Sequence, residues 1–256
     1  DLNNKKKLKE VIEKIKPKTI FHLATYGAYS HQSEFIKIKK NIFDVTVNLL
    51  NECLKYNFET FINTGSNSEY GFKDKKMKET DLLEPNSFYS LFKSASTNYC
   101  ELISSTHNKR IISIRPFHVY GPYEEKSRLI PTVINNIINN KKSKMVDPNI
   151  SRDLIYIDDM IDLYLKITLN TKIKNGIFNA ASGKQYKIIE IYTLINEILG
   201  KNINAHWNKM KNRKWDQKIW VADISKAKKI LSWKPKNSLK EGLKKTVSWH
   251  KSFYFN

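Results

Sequence analysis

The chain has 256 residues, 40% of them hydrophobic and 12% aromatic, which is enough to bury a core and too apolar for a disordered chain. Its formal net charge of +20 comes from lysines spread over almost every segment, so it reads as a generally basic surface with an acidic small-molecule substrate rather than as a nucleic-acid site. No apolar stretch approaches a membrane span, and the first residues lack the apolar core of a secretory leader, so a cytoplasmic protein with no membrane partner is expected.

In chain order, residues 5–15 read as a helix that Pro17 closes, and residues 19–24 as a buried strand. Residues 33–56 read as one long helix, with Phe35, Ile38, Ile42, Val45, Leu49 and Leu50 near helical spacing. A strand over 58–64, a helix over 87–107 and a strand over 110–115 follow. This alternation predicts βα units around a parallel sheet, with chemistry at the strand ends. Beyond Pro122 the pattern loosens: helix over 129–140, strand over 153–157, helix over 158–169, a short strand over 177–180, and helices over 187–199, 224–231 and 239–250. The expected architecture is α/β, a doubly wound parallel sheet over 1–122. A smaller mixed α/β substrate-binding lobe occupies 123–256, with 153–180 returning to the sheet.

Cys53 and Cys100 sit in apolar, helix-like surroundings and are expected as buried free thiols. The six histidines are scattered with no Cys or His partner at ligand spacing, so no metal site is expected. There are only five arginines, Arg110, Arg115, Arg128, Arg152 and Arg213. In a chain whose default cation is lysine, each is a candidate for planar, bidentate recognition.

The chemistry concentrates in Asn63-Thr-Gly-Ser-Asn-Ser-Glu-Tyr-Gly71 and in Tyr89-x-x-x-Lys93. On a helix Tyr89 and Lys93 share one face, where an ammonium favours the phenolate and lets a tyrosine move protons near neutral pH. Ser66, ending a strand nearby, is placed to hold a carbonyl or alcohol oxygen, which together suggests redox chemistry at a C–O centre. Chance alone gives roughly two Tyr-x-x-x-Lys matches in such a lysine-rich chain. The spacing therefore needs its context.

That context is a series of motifs in order: His22-Leu-Ala24, Gly65-Ser-Asn-Ser-Glu-Tyr-Gly71, Tyr89-x-x-x-Lys93, Arg115-Pro-Phe-His-Val-Tyr-Gly-Pro122, Ser151-Arg-Asp-Leu-Ile-Tyr-Ile-Asp-Asp159 and Asn179-Ala-Ala-Ser-Gly183. Arg213-x-x-Asp216, Val221-Ala-Asp-Ile-Ser-Lys-Ala-Lys228 and Trp233-Lys-Pro235 complete it. Over essentially its whole length the chain resembles the extended short-chain dehydrogenase/reductases, in particular the nucleotide-sugar epimerases, dehydratases and 4-keto reductases. The resemblance implies a Rossmann-like sheet, incomplete at its N-terminus, and an NAD(P)-dependent enzyme acting on a nucleotide-diphosphate sugar. It also implies a homodimer built on a four-helix interface from the helices over 33–56 and 87–107, whose apolar content exceeds a single stripe.

The resemblance further implies roles. Tyr89 is the acid/base residue, Lys93 lowers its pKa and binds the nicotinamide ribose, and Ser66 holds the reacting oxygen, with Thr64 as the fallback. Asp1 matches the aspartate that contacts adenine. Leu23, Ala24, Thr25, Thr64, Pro116 and Phe117 lie along the NAD or NADP. Tyr26 and Tyr29 are expected around the sugar's apolar ring face, and Asn67, Ser68 and His118 beside the substrate. His118 stands where many relatives have asparagine. Arg152 and Arg213 match positions that grip the diphosphate, whereas Asn179 and Ser182-Gly183 are expected to build a turn.

The family opens with a Gly-rich βα turn, and none of the eight glycines forms one here. An N-terminally incomplete sequence is therefore expected, lacking a βαβ unit of about 30 residues or more, with weak or no cofactor binding as given. The 4,6-dehydratases carry an acidic pair just after the serine. Here stand Asn67 and Ser68, which do not titrate, and Glu69, which a strand-like alternation would point away. A C4 epimerase or 4-keto reductase is thus the leading expectation and a 4,6-dehydratase the alternative. A cofactor-free or nucleic-acid-binding relative of the fold is the rival of another class.

Overall fold

A computed structural model describes residues 1–29, 31–210 and 219–254. The chain divides into two compact units, the first made of Asp1–Phe72, Glu79–Pro116 and Leu165–Asn179, the second of Lys73–Lys78, Phe117–Tyr164 and Ala180–Asn256. The expected return of 153–180 to the first sheet is narrower in the structure, because the strand that begins at Ser151 belongs to the second unit's sheet.

The first unit is built on four strands, β1 (Thr19–His22), β2 (Thr60–Thr64), β3 (Ile111–Pro116) and β6 (Asn175–Ala180), in the order β1-β2-β3-β6. β1 pairs parallel with β2, and β2 with β3, in registers that set His22 beside Asn63 and Asn63 beside Ser113. β2 and β3 are buried along nearly their whole length, as apolar runs covered on both faces must be. β1 stops at His22, short of the expected end at 24, and Leu23 is 56% exposed.

Helices cover this sheet. α1 (Lys5–Ile15) starts on Asn4, whose side chain accepts from Lys7 N, and buries Leu8 and Ile12. The single helix expected over 33–56 is three pieces: α2 (Phe35–Lys39), a π turn (Lys40–Asp44) and α3 (Val45–Leu54). The wide turn still keeps Ile38, Ile42, Val45, Leu49 and Leu50 buried, so apolar spacing alone does not reveal it. α4 (Phe88–Thr106) opens on a reciprocal cap between Ser87 and Ser90, which satisfies first-turn N–H groups. Cys53 and Cys100 are both buried and free, as expected, and burial pushes the Cys53 thiol up to about 11. Arg110 spends its fork internally, donating to the carbonyls of Ile167, Asn170 and Ile173. Two of those carbonyls belong to or follow the end of α6 (Ile157–Leu169), where a cation also complements the helix dipole.

The second unit pairs β4 (His118–Tyr120) parallel with β5 (Ser151–Tyr156), and β5 antiparallel with β7 (Gln185–Lys187). Its core lies among α5 (Leu129–Ile138), α7 (Ile188–Leu199) and α9 (Leu239–Tyr254), with Ile134, Ile137, Ile191, Ile195 and Leu243 fully buried. Gly242 on α9 is required by this packing, since a Cβ there would stand 2.1 Å from the Tyr120 hydroxyl. α8 (Ser225–Leu231) completes the unit. Among the described residues no helix is long and apolar enough to cross a membrane.

Candidate active site

The site of the first unit forms where β1 and β2 end and α4 begins. Tyr89 and Lys93 stand one turn apart on α4, and the Lys93 ammonium lies 5.9 Å from the centre of the Tyr89 ring. Lys93 is almost fully buried, and its Nζ donates to the carbonyl of Thr64 at 2.8 Å, at the end of β2. Burial lowers its pKa to about 8, with the charge of Glu69 acting in the opposite direction. An ammonium so poised is at hand for a phenolate.

Ser66 follows β2 with extended backbone and caps a 3-10 turn over Asn67–Tyr70. Its Oγ accepts from Ser68 N at 3.2 Å and from Ser68 Oγ at 2.9 Å, and donates to Asn67 Oδ1 at 3.4 Å. Ser66, Asn67 and Ser68 therefore form one hydroxyl and amide cluster, and the buried Nδ2 of Asn67 has no protein partner. The strand-like reading of this stretch is corrected. The segment is helical, and Glu69 faces the interior because it closes the cap on Ser66 N at 2.7 Å and meets Arg115 Nε at 2.8 Å.

His22, ending β1, shares this setting and was given no role from the sequence. Thr46 Oγ1 donates to Ile42 O, so the 2.9 Å contact between His22 Nε2 and Thr46 has the imidazole as donor. Burial first, and the Lys93 charge second, lower the His22 pKa to about 4. It is a neutral ring bonded to Thr46 in the first turn of α3, which in turn donates to the Ile42 carbonyl of the π turn, and its buried strand-end position was the available signal.

Tyr26 packs with Tyr89 against Ile38, Ile42 and Phe92. Tyr29 stacks on His31 at 5.6 Å, and the turn between the two tyrosines uses Gly27 at φ +88°, where a Cβ would press on Ile38. Leu23, Ala24 and Thr25 are exposed past the end of β1. Asp1 accepts from the backbone N–H of Asn3 within its own turn. Pro116 ends β3.

In the second unit Phe117 is buried and its N–H bonds Ala180 O, His118 meets the Trp220 ring edge-on at 6.1 Å, and Arg152 on β5 donates to Ser151 O. Arg213 lies outside the described residues. Asn179, expected in a turn, lies instead within β6, where its Oδ1 accepts from the Tyr70 hydroxyl at 2.6 Å, and Ser182 and Gly183, past the end of that strand, hydrogen-bond Asp153. Among the described residues no cluster of His, Cys, Asp or Glu is arranged to hold a metal ion.

Comparison with known proteins decides the family. The model of the NAD dependent epimerase/dehydratase family matches residues 1–181. The chain belongs to this family. A UDP-glucuronate 4-epimerase of Thermodesulfobacterium geofontis is 30% identical over 98% of the chain and 78% of the relative. An uncharacterized UDP-glucose epimerase of Bacillus subtilis is 27% identical over 92% of the chain and 75% of its own length. UDP-glucuronic acid 4-epimerase from Bacillus cereus, solved in complex with UDP-glucuronic acid and NAD, superposes with a TM-score of 0.90 at 27% identity, covering 99% of this chain and 81% of that one.

The residues of this epimerase/dehydratase family member fit the nicotinamide-ribose end of a dinucleotide. An ammonium has three donors, the structure uses one Lys93 donor on Thr64 O, and vicinal ribose hydroxyls suit the others. The exposed Leu23-Ala-Thr25 edge past β1 is the kind of strand-end surface on which such cofactors lie.

Proposed function

We propose that this chain is a nucleotide-sugar 4-epimerase that uses NAD and acts on a UDP-hexose or UDP-hexuronate, with Tyr89 as the proton-transfer residue. The observation that carries this reading is the buried Lys93 ammonium, one turn from Tyr89 and anchored on the end of β2. NAD, held by Lys93 at its ribose, would supply the reversible hydride acceptor for C4. Tyr89 as phenolate removes the C4 hydroxyl proton as hydride leaves, and gives it back as hydride arrives on the other face. Ser66 holds the same oxygen, and Lys93 favours the phenolate. The UDP-sugar 4-epimerases among the relatives support C4 as the reacting carbon and UDP as the nucleotide.

A 4,6-dehydratase is disfavoured, because eliminating water needs an acid and a base on neighbouring carbons. Asn67 and Ser68 do not titrate, and Glu69 is committed to Arg115 and Ser66. A homodimer through α2, α3 and α4 is part of the proposal, supported by exposed Phe35, Ile36, Phe88, Leu91 and Leu102. Light scattering that gives a monomer would remove that part.

The test incubates the protein and NAD with UDP-glucose and with UDP-glucuronate and follows the products by NMR. The expected product is the C4 epimer, and Tyr89→Phe should lower turnover at least about a hundredfold while UDP-sugar affinity survives. A 4-keto-6-deoxy product would establish the dehydratase instead, and unchanged turnover in Tyr89→Phe would remove the mechanism.

A further inference from the structure

We infer that Glu69 is a positioning residue for this site, fixing Ser66 through its backbone N–H and setting a buried carboxylate, with Arg115 as its counter-ion, against the face of α4 that carries Lys93. The inference rests on the reading of Ser66, Tyr89 and Lys93 given above.

The side chains of Glu69 and Arg115 are 0% and 1% exposed. Glu69 Oε1 accepts from Ser66 N at 2.7 Å and from Thr97 Oγ1 at 3.2 Å, and Oε2 accepts from Arg115 Nε at 2.8 Å. The Arg115 guanidinium lies 4.7 Å over the Tyr70 ring, and its Nη1 reaches Glu79 O at 3.5 Å. The backbone makes room for the carboxylate, since a Cβ on Gly65 would stand 2.3 Å from Glu69 Oε1.

A buried ion pair is commonly no more stabilising than apolar side chains of the same volume, because both charges must leave water. What this pair supplies beyond stability is position and charge. Ser66 is held at both ends, by Glu69 at its N–H and by Ser68 at its Oγ. The groups that face Lys93 are Tyr89 on its own helix, Thr64 O on β2, the neutral His22 on β1 and Glu69 on the 3-10 turn, with Arg115 on β3 behind Glu69. Of the side chains named, Glu69 is the carboxylate. Its Oε1 takes the Thr97 hydroxyl at 3.2 Å, one turn past Lys93 on the same face of α4, so the carboxylate stands beside the ammonium and favours it against the effect of burial.

Glu69→Gln keeps an acceptor for Ser66 N and removes the charge. The expected result is a fall in kcat of roughly ten- to a hundredfold with KM within about threefold, and a Lys93 titration about half a unit lower or more, read from its 13Cε resonance in the ligand-free protein. The alkaline limb of the kcat profile should move with it. Glu69→Gln/Arg115→Met, which leaves no buried cation without a partner, is measured in parallel in case the single variant does not fold, and is expected to lower the Lys93 titration too. Thr97→Val, which removes one hydrogen bond and no charge, should leave it in place. An unmoved Lys93 titration in whichever charge-removing variant folds would overturn the inference. That outcome is independent of Tyr89→Phe, whose retained turnover would instead remove the underlying mechanism.

Discussion

Each unit of the molecule holds a fully enclosed carboxylate at the heart of a polar network, Glu69 in the first and Asp153 in the second, and the two are balanced differently. Glu69 in the first unit faces a cation, Arg115, at 2.8 Å. Asp153 in the second faces uncharged donors: Ser182 N at 2.8 Å, Ser182 Oγ at 2.6 Å, Gly183 N at 3.0 Å and Ala222 N at 3.1 Å. A carboxylate spread over backbone N–H groups staples chain segments together, here β5 to the 182–183 turn and to Ala222, which bridges Met77. One paired with a guanidinium keeps a directed field, and Glu69 sits where Ser66 and Lys93 can feel it. Both are buried acids, yet one holds the chain and the other holds a site.

The largest effect that would sharpen this contrast is expected from Asp153→Ala. It leaves three backbone N–H groups without their acceptor, that of Ala222 buried and those of Ser182 and Gly183 half-buried, which should cost the second unit about 4 kcal/mol, read by urea unfolding and by amide exchange on β5 and β7. Arg115→Met comes next. It leaves the buried Glu69 carboxylate without its cation and should cost about 3 kcal/mol at pH 7, read by the same urea unfolding. A loss no larger than that of an exposed ion pair, about 1 kcal/mol or less, would mean that the Glu69 carboxylate does not depend on Arg115, and the contrast between the two acids would disappear.

Much of the fold was legible. β2 and β3 were readable because both faces are covered, which writes a continuous apolar run into the sequence. α4 was readable because Ser87 caps a long apolar pattern, and the Tyr89–Lys93 spacing followed from it. The turn after Ser66 was misread because polar and apolar residues alternate there as on a strand. The competing signal was present in Ser66-x-x-Glu69, a capping box, which settles the local geometry once Glu69 finds Arg115. The scarcity of arginine did mark special positions, but the forks of Arg110 and Arg115 turn inward, to helix-end carbonyls and to Glu69. A sequence states which residues can make a fork and leaves the partner to the tertiary fold. The π turn in the second helix was invisible for a related reason, since an extra residue per turn preserves an apolar stripe as broad as this one.

The smallest net effect is a pH response in which the two units move oppositely. Burial lowers His22 from 6.5 to about 4, so the folded first unit binds fewer protons than the unfolded chain between those values. Its stability should rise from pH 4 to 6.5, by up to about 3 kcal/mol, and be lost again as pH falls. Burial raises Asp153 from 3.8 to about 6 against the pull of its donors, so the folded second unit binds more protons in nearly the same window. Its contribution is present below pH 4 and should fall by up to about 3 kcal/mol as pH rises through 6. Global unfolding therefore changes little between pH 4.5 and 6.5 on account of these two groups, whereas amide exchange, corrected for its intrinsic rate, should show β1 and β2 gaining protection and β5 and β7 losing it. His22→Gln should abolish the first trend alone, and Asp153→Asn should remove the Asp153 share of the second alone, leaving the share of Glu124, whose carboxyl burial raises to about 8. Parallel trends in both units would show that the two buried groups do not govern the local stabilities assigned to them.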